Sequence, residues 1–565
     1  MAENGTVVGN VWVEIWDDSG SAPNAVISNG TSDTVVASSI GGSAEWVQFD
    51  FTTPPSLTQS SVYYIIARGD YAESSSNYVR IYRWAAASVY AGGTAWSYRL
   101  STPTWTAAAT RDIEFQVWST GAANVYTKAG ITTEPNQVFY DGVRLTENDG
   151  ATTGVGANEW DWAAAGDTLY INVGEDPAGG TVEISQRTAG VYGSAKNYIT
   201  VTGLSTVKAQ EIGIYNLNGT NWVVDGNTVT DSFNDGINMY SDNAGTPTDD
   251  CVVQNNTVSY SGDCGIYAGM YGTGGSILNN DVSYTCWRTD KDTNGGIKIY
   301  SGAFGSEDPD NVSGYTISGN VSHHNGVASG SRGAGIWVDY SDANTISGNL
   351  VYSNYFIGIY IEKSDANVVA YNIIYDHTDS HVSLAGHSIV VSMSDDDASS
   401  VDGNLIYNNT VYDSRKALFL YGLAGGAGTI NDTIVKNNIF LNNSVNDIDH
   451  YLNSTGTGTI YSSNCLGAEA ISVKWEGVEK TTYDAWETSY SGTTNSVEAD
   501  PLMTAPATGD FTLQSGSPAI DAGVGIAGYG TKLCPGSTWP SSVVLCPAGN
   551  QIDIGAYEYP IWGMP

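Results

Sequence analysis

Residues 335–344 read GIWVDYSDAN and residues 358–367 read GIYIEKSDAN, one phrase given twice at a spacing of 23 residues. Thinned copies of the phrase run through the middle of the chain. Aligning the Gly of each Gly-Ile pair gives Gly213, Gly236, Gly265, Gly296, Gly335 and Gly358, then degenerate copies at Ser388 and Ala417. A second column keeps step with the first: Asn227, Asn256, Asn280, Asn320, Asn349, Asn372, Asn409 and Asn438. Repeats of 23 to 40 residues, β-rich and without helical periodicity, predict a right-handed parallel β-helix in which each coil stacks its strands on the last. The Asn column belongs at a sharp buried corner, where each amide satisfies backbone groups and its equivalent in the next coil.

Alternate residues of a strand face opposite sides. The residues one and three places after each Gly are apolar, as in Ile336 and Val338 or Ile359 and Ile361, and should form the core. The residues two and four places on should face out. The first outward column reads Tyr215, Asn238, Tyr267, Lys298, Trp337, Tyr360, Val390, Phe419; the second reads Leu217, Tyr240, Gly269, Tyr300, Asp339, Glu362, Ser392, Tyr421. A ridge of aromatic rings outside a sheet suits sugar rings, so an open groove for a polysaccharide or oligosaccharide is expected, unless loops fold over the ridge.

Composition narrows the partners. The chain has 565 residues, 66 Gly, 36 Tyr, 16 Trp and a formal charge of −39, which disfavours nucleic acid and anionic lipid. No run of eighteen apolar residues is present, so membrane insertion is not expected. The start MAENGTVVGN lacks a signal-peptide pattern, yet acidity, low Lys and abundant Asn, Ser, Thr and Gly point to a secreted, extracellular protein, expected as a monomer. The six cysteines suggest a few disulfides, with Cys534 and Cys546 bracketing a loop and Cys251, Cys264 and Cys286 close together.

Three regions are expected in this all-β chain. Residues 1–122 alternate in short bursts such as EWVQFDF and RDIEFQVW, the pattern of an N-terminal antiparallel β-sandwich. This stretch resembles the jelly-roll modules appended to secreted proteins, some of which bind carbohydrate; Trp84, Trp96 and Trp105 would line a sugar site or pack the core. Residues 123–500 form the β-helix, with 126–200 as the opening coils and the cap at that end. Residues 501–565, including QIDIGAYEY, resemble the closing segment of such proteins and would cap the last coil.

Asp339 and Glu362 fall in the same outward column on adjacent coils, about 5 Å apart at the usual strand spacing. Like charges directly across strands destabilise a sheet, so the pair is costly as scaffold. Two such carboxyls tend to share a proton and so supply one acid and one base. A separation of about 5 to 5.5 Å is that of retaining glycosidases, and about 6.5 to 9.5 Å that of inverting ones. The pair resembles that of the β-helical β-xylosidases of glycoside hydrolase family 120, which also set an Asp nucleophile and a Glu acid/base on neighbouring coils. The resemblance implies Asp339 as nucleophile and Glu362 as acid/base. It rests on two residues and their spacing, and the accessory sandwich here is N-terminal instead of inserted.

The connections from Asn280, Asn320 and Asn372 to their strands are the long ones, and they bracket the acids. They carry five of the six histidines: His323, His324, His377, His381 and His387. Trp337, Tyr360, Tyr300, Lys298, Arg332, His324 and His387 are therefore the expected substrate-binding neighbours, with Lys363 also nearby. No His pair has zinc spacing, so no metal or other cofactor is expected in catalysis. The runs SEDPD at 306–310 and SDDDAS at 394–399 carry ligand types for structural Ca²⁺, although neither fits a calcium-loop spacing. The expected function is a retaining glycoside hydrolase. The alternatives are a polysaccharide lyase acting on a uronate-containing glycan and a non-enzymatic adhesin or tailspike.

Overall fold

The computed structural model describes the chain except residues 1, 5–8, 19–22, 37–38, 41–46, 54, 57–62, 70–77, 81–94, 100–101, 109–124, 151–153, 175, 292–293, 302–307, 309–310, 328–332, 381–383, 394–399, 423–427, 452–455, 527–530, 548–550 and 560–565. Two compact units divide it: Met1–Glu134 with Phe139–Glu183, and Pro135–Val138 with Ile184–Pro565.

In the first unit RDIEFQVW and the start of EWVQFDF lie outside the described residues, and 47–51 is not a strand. Strand Asn10–Asp18 is flanked by Pro23–Thr31, Val35–Val36 and Tyr63–Gly69, all antiparallel to it. Trp96 and Trp105 lie on the two strands of one hairpin, Ala95–Arg99 and Thr102–Ala108. Trp84 lies outside the described residues. Strands Val125–Ala129, Thr168–Asn172 and Glu159–Ala163 pair antiparallel in a sheet whose edge strand Thr146–Glu147 is parallel, so these strands are not opening coils. The regular coils begin at Ala189–Ser194. The alternation in NEWDWAAAGDTLYINV is that of a hairpin, with Trp160 opposite Ile171, and not of a coil.

The second unit is a right-handed parallel β-helix. Three long sheets of twelve, ten and nine strands run its length. Every pairing is parallel except the last pair of the twelve-stranded sheet, Val473–Trp475 with Val478–Lys480. The Gly-Ile columns set the register: Ile297, Ile336, Ile359 and Ile389 are successive partners. They point into a core with Val338, Ile361, Leu418 and Leu420, all of them solvent-inaccessible. Glycine recurs because the coils touch there. A Cβ at Gly335 would stand 2.6 Å from the Gly358 carbonyl oxygen and 2.5 Å from Val351.

The Asn column is a buried ladder. Each Nδ2 donates to Oδ1 of the next Asn at 2.9 to 3.0 Å, from Asn227 through Asn256, Asn280, Asn320, Asn349, Asn372, Asn409 and Asn438 to a ninth rung, Asn464. The turn acids Asp342 and Asp365 are scaffold too. Asp342 accepts the Asp365 backbone N–H at 2.7 Å, and Asp365 that of Asp402 at 2.8 Å.

The described residues of segment 501–565, expected to cap the last coil, lie instead along the flank. Its Phe511, Leu533, Ile554 and Ala556 pack on the outward residues Tyr371, Ile373, Tyr407 and Ile439 of several coils, and Trp539 donates its indole N–H to the Gly348 carbonyl at 2.8 Å. The coil end is closed by the hairpin at 473–480 and by Tyr483–Tyr490, the one α-helix among the described residues. Thr482 caps that helix, and Tyr483 and Trp486 complete the core. Trp486→Ala is expected to cost about 3–5 kcal/mol, because a large buried ring leaves a cavity at the terminus of the stack; a lowered urea midpoint measures it.

Of the expected disulfides, Cys534–Cys546 is formed. Cys251, Cys264, Cys286 and Cys465 are buried thiols outside any disulfide of the described residues.

Candidate active site

The outward face of the twelve-stranded sheet carries the acid pair in register. Tyr300, Asp339, Glu362 and Ser392 are successive partners along one column, and Lys298, Trp337, Tyr360 and Val390 along the neighbouring one. Asp339 and Glu362 are therefore one strand spacing apart, about 4.8 Å between backbones.

The aromatic ridge is not an open groove along its whole length. Trp337, Tyr360, Val390 and Phe419 are buried in one cluster with Phe356 and Ala385, which come from the connections, and with Leu384 packed against it. Strand alternation gives the direction of a side chain and not what lies over it. Tyr215, Tyr240, Tyr267 and Tyr300, on the preceding coils, stay partly exposed. The ridge thus passes from half-open to covered as it reaches the acids. Trp337 and Tyr360 pack ring against ring, centroids 5.0 Å apart.

Charge is concentrated on a few atoms. Lys298 Nζ stands 3.0 Å from Asp339 Oδ2, both side chains largely buried, and 4.0 Å from the centre of the Trp337 ring. Burial, and next the negative charge of Asp339, push the Glu362 carboxyl up to about 7; Lys298, the Tyr360 hydroxyl and the Trp337 indole N–H pull it back. The Tyr360 hydroxyl also shares a 2.8 Å hydrogen bond with Ser392 Oγ, and burial raises its own pKa well above the usual phenol value. A carboxyl held beside a cation can attack as a nucleophile, and one that keeps its proton to near neutrality can donate it.

The other expected neighbours divide. Tyr300 is half-buried, with Lys298 Nζ 5.2 Å from its ring centre. Arg332 and His381 lie outside the described residues, as do 394–399 and most of 306–310. His387 is not beside the acids: it sits five residues before Ser392, roughly 16 Å along the strand. It is fully buried edge-on to Phe419. Burial, then Lys416 and Arg415, drive its pKa down to about 2, so it stays neutral. His324 lines a different cleft, with Ser353, Tyr355 and Asp376. His377 is scaffold, its Nε2 3.3 Å from Asn354 Nδ2 where a shorter ladder from Asn325 continues. Lys363 donates to the Tyr340 hydroxyl.

Two features escaped the sequence. Ser392 was visible in the column, but its link to Tyr360 was not. Ala334 and Ile357, each one residue before its Gly, join the outward Trp337 and Tyr360, and Lys416, in the same position, lies over the outward Phe419; Asp235 holds that position on the coil of Gly236. Asp235 accepts the Cys264 N–H at 2.9 Å and an Asn238 N–H at 2.6 Å, and burial together with Asp263 pushes its carboxyl up to about 7. The signal was a third column, one position before the Gly, in which Asp235, His387 and Lys416 stand among small or apolar residues.

The model for the NosD family, described as a periplasmic copper-binding protein, matches residues 285–497. Among curated proteins nothing matches the chain. Among solved structures it is similar to one described as XylC in complex with xylose, at 15% identity over 57% of this chain and 63% of that one, with a TM-score of 0.39. It is also similar to pectate lyase Pel9A, at 14% identity over 61% of this chain and 73% of that one, TM-score 0.36. A third is the A-module of the Azotobacter vinelandii mannuronan C-5 epimerase AlgE6, at 12% identity over 50% and 62%, TM-score 0.33. The chain spans less than two thirds of the first and third of these.

Proposed function

We propose that this protein is an exported glycoside hydrolase that retains anomeric configuration, with Asp339 as nucleophile and Glu362 as acid/base. The observation that carries the reading is the in-register Asp339 and Glu362 pair, with Lys298 Nζ 3.0 Å from Asp339. In the first step the Asp339 carboxylate bonds to the anomeric carbon while the glycosidic C–O bond breaks and Glu362 passes its proton to the departing oxygen. In the second, ionised Glu362 takes a proton from water, whose oxygen displaces Asp339 from the anomeric carbon. Lys298, 3.0 Å away, offsets the negative charge of Asp339. The half-exposed tyrosines would take the sugar units beyond the cleaved bond.

A lyase needs a positive group to neutralise a uronate carboxylate, and among the described residues Lys298 is engaged by Asp339 and Lys363 donates to the Tyr340 hydroxyl; this supports hydrolysis of a neutral glycan. The Cys534–Cys546 disulfide agrees with an oxidising compartment. The test is incubation with a panel of neutral and uronate-containing glycans: new reducing ends without ultraviolet-absorbing products support hydrolysis, and unsaturated products overturn it.

One test needs no substrate. The folded-state pKa of Glu362 is raised from 4.5 to about 7, so its favourable contribution is complete below 4.5 and is lost as pH rises through 7. Glu362→Gln escapes that loss. The Tm of the variant, relative to wild type, is expected to climb between pH 4.5 and 7; a constant difference across this window would mean that the pair does not share a proton.

A further inference from the structure

We propose that the substrate is an extended, neutral glycan laid along the helix axis, one sugar per coil, with its glycon units on Tyr300, Tyr267 and Tyr240. The placement rests on Asp339 and Glu362 being the catalytic pair. Tyr240, Gly269, Tyr300, Asp339 and Glu362 are successive partners in one outward column.

Gly269 interrupts the series of rings, and its neighbour on the same strand restores it. With no side chain at 269, the Tyr267 ring leans two residues along the strand; a Cβ at Gly269 would collide with its Cε1, Cζ and hydroxyl oxygen. The Tyr267 and Tyr240 rings lie 6.5 Å apart with planes 30° from parallel. Three consecutive coils therefore present one partly exposed phenol ring each, in line with the acids.

Ring spacing sets the shape of the ligand. A pyranose unit in an extended, equatorially linked chain is about as long as one rung of the stack, about 4.8 Å, so successive units meet successive rings. An α-linked glucan, which coils, falls out of step within a few units. Charge sets the class. Asp242 acts on Tyr240 and Asp235 on Tyr267, while Lys298, 5.2 Å from the Tyr300 ring centre, is engaged by Asp339. Carboxylates along the tract repel a uronate and leave a neutral chain.

The order of the two acids sets the direction. The leaving oxygen lies on the far side of the anomeric carbon from the nucleophile and faces the acid. From Asp339 to Glu362 the path thus runs from glycon to leaving group. The glycon lies back over Tyr300, Tyr267 and Tyr240, and the departing part lies toward Ser392.

The experiment titrates full-length Asp339→Asn protein calorimetrically with xylo-, cello- and malto-oligosaccharides of two to six units. Affinity is expected to climb up to four units, one per coil from Tyr240 to Asp339, in the xylo or the cello series and to stay flat in the malto series. Tyr240→Ala and Tyr267→Ala should each weaken binding of the longest sugars about tenfold. Gly269→Ala, which displaces the Tyr267 ring without removing it, should weaken it too. Tyr260→Ala, exposed at the end of a strand of the nine-stranded sheet, is the control. With the wild type, kcat/KM for nitrophenyl glycosides should rise as the glycon lengthens. Affinity that ignores chain length, a malto series that climbs equally, or hydrolysis indifferent to glycon length would overturn the inference. Length-dependent binding without hydrolysis of any glycan would support the tract and overturn the catalytic assignment of the acids. Should a variant misfold, the length series and the nitrophenyl glycosides decide.

Discussion

Asp339→Asn is expected to lower glycoside hydrolysis at least about a thousandfold, roughly 4 kcal/mol on the barrier, while Glu362→Gln loses as much only on substrates with poor leaving groups. The asymmetry follows from the roles. An amide at 339 cannot form the glycosyl–enzyme bond with any substrate, and it also leaves Lys298 without its 3.0 Å partner. An amide at 362 can neither donate nor accept the proton, but an aryl glycoside departs without help, so its first step survives and the intermediate accumulates. Stopped-flow release of nitrophenol from the Glu362→Gln protein should therefore show a burst followed by a slow phase, and the Asp339→Asn protein no burst. Equal losses by both variants on both substrate types would remove the distinct roles, and unaltered hydrolysis by either would refute its assignment.

The second large effect concerns the scaffold. Asn349→Ala is expected to destabilise the β-helix by about 3–5 kcal/mol, since each buried polar group left unpaired costs roughly 1–3 kcal/mol. The Asn349 side chain donates to the Ile317 carbonyl at 2.9 Å and to Asn372 Oδ1 at 3.0 Å, and its Oδ1 accepts the backbone and side-chain N–H of Asn320. Truncation orphans donors and acceptors in two neighbouring coils at a corner with no exposure to water. Urea unfolding followed by tryptophan fluorescence measures the loss. The exposed Asn255→Ala, whose side chain donates to Asp225, should cost far less.

The coil register was legible because two residue types have no substitute in their places. Gly meets a carbonyl of the next coil and Asn fills a corner that only an amide can satisfy, so counting between them gave Asp339 opposite Glu362 before any coordinates. What lies over a face was not legible. The burial of Trp337 and Tyr360 depends on Phe356 and Ala385, which belong to irregular connections without a repeating pattern. Histidine misled for a related reason: His377 takes an Asn position in an inner ladder and His387 stands among apolar side chains, and neither role leaves a mark in spacing. The flank-packed 501–565 segment read as a cap because its apolar residues must be covered, and sequence does not say by which surface.

The stacked coils amount to a ruler with one graduation per rung. The backbones that carry carboxylates on the outward column are separated by about 4.8 Å or about 9.6 Å, and by nothing in between. The shorter interval suits a direct attack by carboxylate on sugar, and the longer leaves space for a water molecule between. A coil inserted between Asp339 and Glu362 would carry the Asn ladder and the core through unchanged, yet shift the pair from the first graduation to the second. On such a scaffold, stereochemical outcome changes by whole repeats, and the sheet that holds the acids need not be redesigned for it.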